Sequence, residues 1–157
     1  KPPGTEHATS TPLISPVPRT GGASSGPSAT VCDTSPMLIV GLHHVQLAMP
    51  PGREADATAF YEYLLGIPRV EKPPNLEARG GCWFESSSTR VHLGVEERFA
   101  PARKAHPALL VDDLALLRKR LEDAGVPVED DEPLPGFDRF YAYDPFGNRL
   151  ELLSPLV

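Results

Sequence analysis

Four residues of this chain have side chains of the kinds that hold metal ions: His44, His92, His106 and Glu151. Three imidazoles and a carboxylate suit zinc, nickel, manganese or iron(II). Taken one at a time, a histidine in a strand-like run is more often an ordinary polar residue. These are singled out because their surroundings repeat.

The stretch before His44 and the stretch before His106 open two similar passages. Leu42-His43-His44-Val45-Gln46-Leu47 reads as a strand, followed by an amphipathic run, Arg53 to Leu65. Ala57, Phe60, Tyr61, Leu64 and Leu65 share one helical face there. Gly66-Ile67-Pro68 closes it. Ala105 to Val111 reads as the matching strand. Asp112 or Asp113 can then cap a helix whose core face is Leu114, Leu117, Leu121 and Ala124, closed by Gly125-Val126-Pro127. Three short strand-like runs follow each helix, near 69–71, 81–85 and 90–95, then near 128–130, 139–143 and 149–153. The turn Asp144-Pro145-Phe146-Gly147-Asn148 separates the last two.

The expected architecture is therefore α+β. Two tandem βαβββ modules, about 37–98 and 103–157, form a curved mixed sheet around a metal-binding cleft, with helices outside. Neither module alone can cover both faces of its sheet. Alternation along each strand assigns Val45, Leu47, Val91, Leu93, Leu109, Val111, Leu150 and Leu152 to the core. It sends His44, Gln46, His92, His106 and Glu151 to the cleft. Overlaying the repeats matches His44 with His106 and His92 with Glu151, and an approximate two-fold would bring all four to one cleft floor.

The rest of the chain narrows the function classes. It has 157 residues and a formal net charge of −6. Mild acidity without a basic run argues against nucleic acid, and no apolar stretch is long enough to span a membrane. Cys32 and Cys82 make neither a disulfide framework nor a metal spacing, so a reducing, cytoplasmic setting is expected. Residues 1–36 are rich in Pro, Ser, Thr and Gly and are expected to be a disordered tail or leader. They make a poor signal peptide, and Met37 is a candidate natural start. The globular domain is 37–157.

The pattern resembles the vicinal-oxygen-chelate superfamily, which includes glyoxalases, extradiol dioxygenases and bleomycin-resistance proteins. The carrying motifs are His44-Val45, Phe60-Tyr61 with Leu64-Leu65-Gly66, His106 with Val111-Asp112-Asp113, and Asp144 to Asn148 leading into Leu150-Glu151-Leu152. In metal-binding members a strand-one His, a strand-five His and a strand-eight Glu are ligands, which implies His44, His106 and Glu151. The strand-four position varies across the family and here is His92.

The resemblance implies one divalent ion that a small oxygenated substrate chelates through neighbouring oxygens, in a lyase, isomerase or transferase reaction. Four protein ligands leave two octahedral positions for that substrate. If His92 stands behind the metal instead, a three-ligand site suits a non-haem iron dioxygenase. A non-catalytic drug-binding protein is the third reading, and the retained ligands argue against it. His92 and Glu151 are the candidate proton-transfer groups. Gln46, Arg139 and Tyr141 are candidates for orienting substrate. Trp83 or Phe84 can wall the cleft, while Cys82 reads as a buried small residue. The resemblance also implies a homodimer. If halves are exchanged between copies, His44 and His92 meet His106 and Glu151 of the partner.

Overall fold

Two glycines close the two long helices in the same way. Gly66 and Gly125 adopt φ of 76° and 73°, the left-handed region that a β-carbon resists. Behind them, Val126 N–H donates to the Leu121 carbonyl and Ile67 N–H to the Tyr61 carbonyl, both at 2.9 Å. The second closure spans five residues and the first six. The difference arises because the first helix widens. It starts as an α-helix, α1 (Glu54–Thr58), and continues as a π-helix over Ala59–Leu64. Helical periodicity in the sequence does not reveal such an expanded turn.

The computed structural model describes residues 38–156, and the expected tail lies outside them. The first half contains β1 (Val45–Met49), the α1/π segment, β2 (Arg69–Val70), a one-turn helix α2 (Pro74–Glu77), β3 (Cys82–Glu85) and β4 (Arg90–Val95). The second contains β5 (Ala108–Leu110), α3 (Leu114–Asp123), β6 (Val128–Glu129), β7 (Phe137–Tyr143) and β8 (Arg149–Pro155). Asp113 caps α3, its carboxylate accepting from Leu116 N–H at 2.9 Å. The fold is α+β with tandem βαβββ halves. The strands form two four-stranded mixed sheets, β1-β4-β3-β2 and β5-β8-β7-β6, each with one parallel pair at its edge.

Two strands are shorter than the apolar pattern suggests. β1 begins at Val45, so His44 directly precedes it. β5 begins at Ala108, because Pro107 has no N–H for the ladder, although its carbonyl still accepts from Glu151 N–H at 3.0 Å. The helix α2 was not expected.

One buried cluster spans both halves, with Leu47, Met49, Phe60 and Phe84 from the first and Phe140, Leu150 and Leu152 from the second. A polar bridge accompanies it. Tyr61 O–H donates to Asp144 at 2.9 Å, and Asn148 Nδ2 donates to the Ala48 carbonyl at 2.8 Å. Among the described residues, no helix is long and apolar enough to cross a membrane.

Candidate metal centre

Strand register sets the first half of the site. Gln46 pairs with His92 across the parallel β1–β4 ladder, and Trp83 pairs with His92 across the antiparallel β3–β4 ladder. Cross-strand partners share a face, so these three side chains stand together opposite the core. His92 is 4 % exposed. Its ring lies between Trp83, at 4.1 Å and 5°, and His44, at 4.3 Å and 23°.

Glu85, two residues beyond Trp83 on the same strand face, reaches His92 Nε2 at 2.8 Å. The other oxygen of Glu85 is 3.3 Å from Arg90 Nε. Burial holds the His92 imidazole below its ordinary pKa, so near neutrality it is an uncharged ring donating Nε2–H. That hydrogen bond is the main reason the Glu85 carboxyl is held below the usual carboxylate range. His44 is exposed. Its Nδ1 is 2.9 Å from His43 Nδ1, and among the described residues its Nε2 has no hydrogen-bond partner. Gln46 lies across Gly94: a β-carbon there would meet its amide nitrogen at 2.8 Å.

The second half is built the same way. Ala108 and Tyr141 flank Glu151 in the β5–β8 and β7–β8 ladders, and His106 precedes β5. His106 Nδ1 is 2.8 Å from the Lys104 carbonyl, and Nε2 is 3.2 Å from Glu151 Oε2. Arg139 binds the other Glu151 oxygen at 2.9 Å and the Tyr141 hydroxyl at 2.7 Å. Asp131 and the Glu132 carbonyl hold the far side of its guanidinium. Arg149 lies over the Tyr141 ring at 4.5 Å and donates to the Lys104 carbonyl. Among the described residues, Nε of Arg139 and Nε of Arg149 are buried without hydrogen-bond partners.

This arrangement suits a cation. His106 Nδ1 meets both the Lys104 carbonyl, which can only accept, and Arg149 Nη2 at 2.9 Å, which can only donate, so either neutral tautomer finds a partner there. With its proton on Nε2 the ring donates to Glu151; with it on Nδ1 the Nε2 lone pair and the carboxylate face each other across 3.2 Å, a gap that a cation can fill. The donor chemistry of His106 and Glu151 therefore fits a divalent ion, and the free Nε2 of His44 adds a donor of the same kind.

Within one chain the four expected ligands form two pairs rather than one cluster. His44 and His92 belong to the first sheet, and His106 and Glu151 to the second. Among the described residues, no group of three or more His, Cys, Asp or Glu side chains is placed to hold a metal. His44 and His106 do line one open hollow of about 450 Å³, together with Arg90 and Pro107. Gln46 stands with the first pair, and Arg139 and Tyr141 with the second. Glu85 and Arg149 were missed in the sequence, although alternation signals both. Arg149 is two residues from Glu151, on a face already assigned to the cleft, and Glu85 is two from Trp83, whose face the sequence left open against that of Phe84.

Two four-stranded mixed sheets built from tandem βαβββ halves define the class of fold. Residues 41–152 match the model of the Glyoxalase/Bleomycin resistance protein/Dioxygenase superfamily, and the chain belongs to that family. Among solved structures, it is 43 % identical to a glyoxalase family protein from Bacillus anthracis, over 75 % of this chain and 97 % of that one, with a TM-score of 0.72. The fosfomycin resistance protein FosX from Listeria monocytogenes is 17 % identical, over 76 % of this chain and 97 % of that one, with a TM-score of 0.60. TnmS3, an antibiotic binding protein from Streptomyces sp. CB03234, is 22 % identical, over 76 % and 99 %, with a TM-score of 0.56. The last two likenesses show the fold alone. No curated protein matches the chain.

Proposed function

We propose that this chain is a divalent-metal-dependent, glyoxalase-like enzyme acting on a small oxygenated substrate, in a lyase, isomerase or transferase reaction. The observation that carries this reading is the matched placement of two half-sites. The pair His44/His92 on one sheet and the pair His106/Glu151 on the other occupy equivalent positions, and each is too small to hold an ion alone. A homodimer in which the first half of one copy faces the second half of its partner completes two such sites. A cytoplasmic location accords with this reading.

A divalent ion, when bound, supplies Lewis acidity toward two neighbouring substrate oxygens. The chain's own residues do the rest. Arg139 holds one oxygen of Glu151 and leaves the other to the site. On this reading Gln46 and the Tyr141 hydroxyl orient substrate oxygens. His92 and Glu151 are the groups available to move a proton, and the stacked Trp83 ring keeps water from one side of His92.

A second reading is favoured by one contact. Glu85 occupies Nε2 of His92, and if His92 merely supports the site, then His44, His106 and Glu151 form a three-ligand centre suited to non-haem iron and oxygen.

The test is metal analysis and sedimentation of chain purified without chelator or nickel resin, repeated on His92→Ala. About one zinc, nickel or manganese per chain in a dimer, lost in the variant, supports the first reading. Iron retained in the variant supports the second. A metal-free monomer after reconstitution ends both.

A further inference from the structure

Histidine can bind a metal through either ring nitrogen, and the nitrogen is selected by whatever holds the other one. The two halves of this chain hold their histidines differently. His106 Nδ1 meets both the Lys104 carbonyl and Arg149 Nη2, so no single tautomer is selected there. His92 is held at Nε2 by Glu85, and its Nδ1 has no hydrogen-bond partner among the described residues. Its ring cannot readily turn over, because Trp83 and His44 cover its two faces at 4.1 and 4.3 Å. Arg90 fixes the other oxygen of Glu85. Glu85 thus links Arg90 to the His92 imidazole, whose Nδ1 lone pair is left over.

We propose that Glu85 is a positioning residue of the metal centre, holding His92 through Nε2 so that Nδ1 is the nitrogen it offers to the ion. This rests on the metal-dependent reading above. A carboxylate behind a ligating imidazole fixes its tautomer and raises its basicity, and losing such a partner lowers metal affinity by about 10- to 100-fold. The effect is local to the first sheet, since Glu85 makes no contact with the His106/Glu151 pair.

The experiment uses the full chain. Nitrogen-15 NMR of the labelled histidines at pH 7.5 is expected to show His92 protonated at Nε2 and bare at Nδ1. A proton on Nδ1 overturns the inference, and this measurement needs no variant. Zinc affinity is then measured by chelator competition for wild type, Glu85→Ala and Glu85→Gln, with thermal unfolding to confirm folding. The expected result is an affinity about 10- to 100-fold weaker in Glu85→Ala. Glu85→Gln should stay within a few-fold of wild type, because its amide oxygen still accepts from Nε2–H. Equal zinc affinity in Glu85→Ala and wild type overturns the role of Glu85 alone. Wild type that binds no zinc overturns both this inference and the functional reading beneath it.

Discussion

Tyr61 and Asp144 are 83 positions apart in sequence, and their side chains meet at 2.9 Å in the buried interior between the two halves. Asp144 also accepts from Phe146 N–H and Asn148 N–H, and from Asn148 Nδ2 at 2.8 Å. Tyr61→Phe removes one bond from an acceptor that keeps others, so it should cost about 1 kcal/mol. Asn148→Ala strands the Ala48 carbonyl and part of Asp144 together, and should cost about 2 to 3 kcal/mol. Urea unfolding of the two variants checks the ranking. Equal losses would show that the bridge does not discriminate between its members.

Exchange of halves has a signature in mixed dimers. His44→Ala damages the first half-site and Glu151→Ala the second. When the two variants are mixed and allowed to re-pair, one site of each heterodimer draws only on undamaged halves. About one quarter of wild-type metal content should return, whereas sites built within one chain would return none. Metal analysis before and after mixing reads the difference.

Trp83 is the chain's single tryptophan, and it stacks on His92. Zinc binding at His92 should change its emission with a saturating stoichiometry, and His92→Ala should abolish the change. A titration in which the variant responds like wild type would place the metal elsewhere.

Gly94 leaves room for Gln46. In Gly94→Ala the new methyl meets the amide nitrogen of Gln46, the mobile end of a flexible side chain, so folding should change by less than about 1 kcal/mol. Substrate handling should suffer instead, with KM rising and metal affinity unchanged. Loss of metal together with KM would place Gln46 in a different role.

Burial pushes the Cys82 thiol up to about 11 from an ordinary value of 9.0. A raised folded-state pKa means that the native state keeps its proton longer than the unfolded chain. The associated stability is fully present below pH 9 and falls as pH climbs toward 11. In a Cys32→Ser background, wild-type Cys82 should show an alkaline decline of about 2 to 3 kcal/mol. Cys82→Ala should lack the part between pH 9 and 10, keeping only the decline that buried Tyr61 brings above pH 10. Denaturant titrations between pH 8 and 11 decide the matter.

The duplicated layout was legible because its punctuation is local. Gly66 and Gly125 end helices for reasons contained within a few residues, and the alternation around His92 and Glu151 is a property of single strands. The π-helical stretch was hidden, since the same buried residues, Ala57, Phe60 and Tyr61, satisfy an ordinary helical stripe. Glu85 was hidden by its neighbour: the aromatic Trp83 drew the reading, although both share one face. The sequence left open whether the half-sites meet within one chain or between copies. Which sheet faces which depends on how folded halves assemble, and no local pattern encodes that.

The bridge from Tyr61 and Ala48 to the Asp144–Asn148 turn has a consequence for chain continuity. The halves share one core and this hydrogen-bonded seam, so the peptide between them contributes little to their adhesion. Phe99 and Ala102 already belong with the second half, through Phe146 and Asn148. A break between Glu97 and Arg98 therefore severs a connection without opening an interface. The two fragments are a natural pair for complementation, each soliciting the other through a buried tyrosine and an asparagine rather than through a covalent bond.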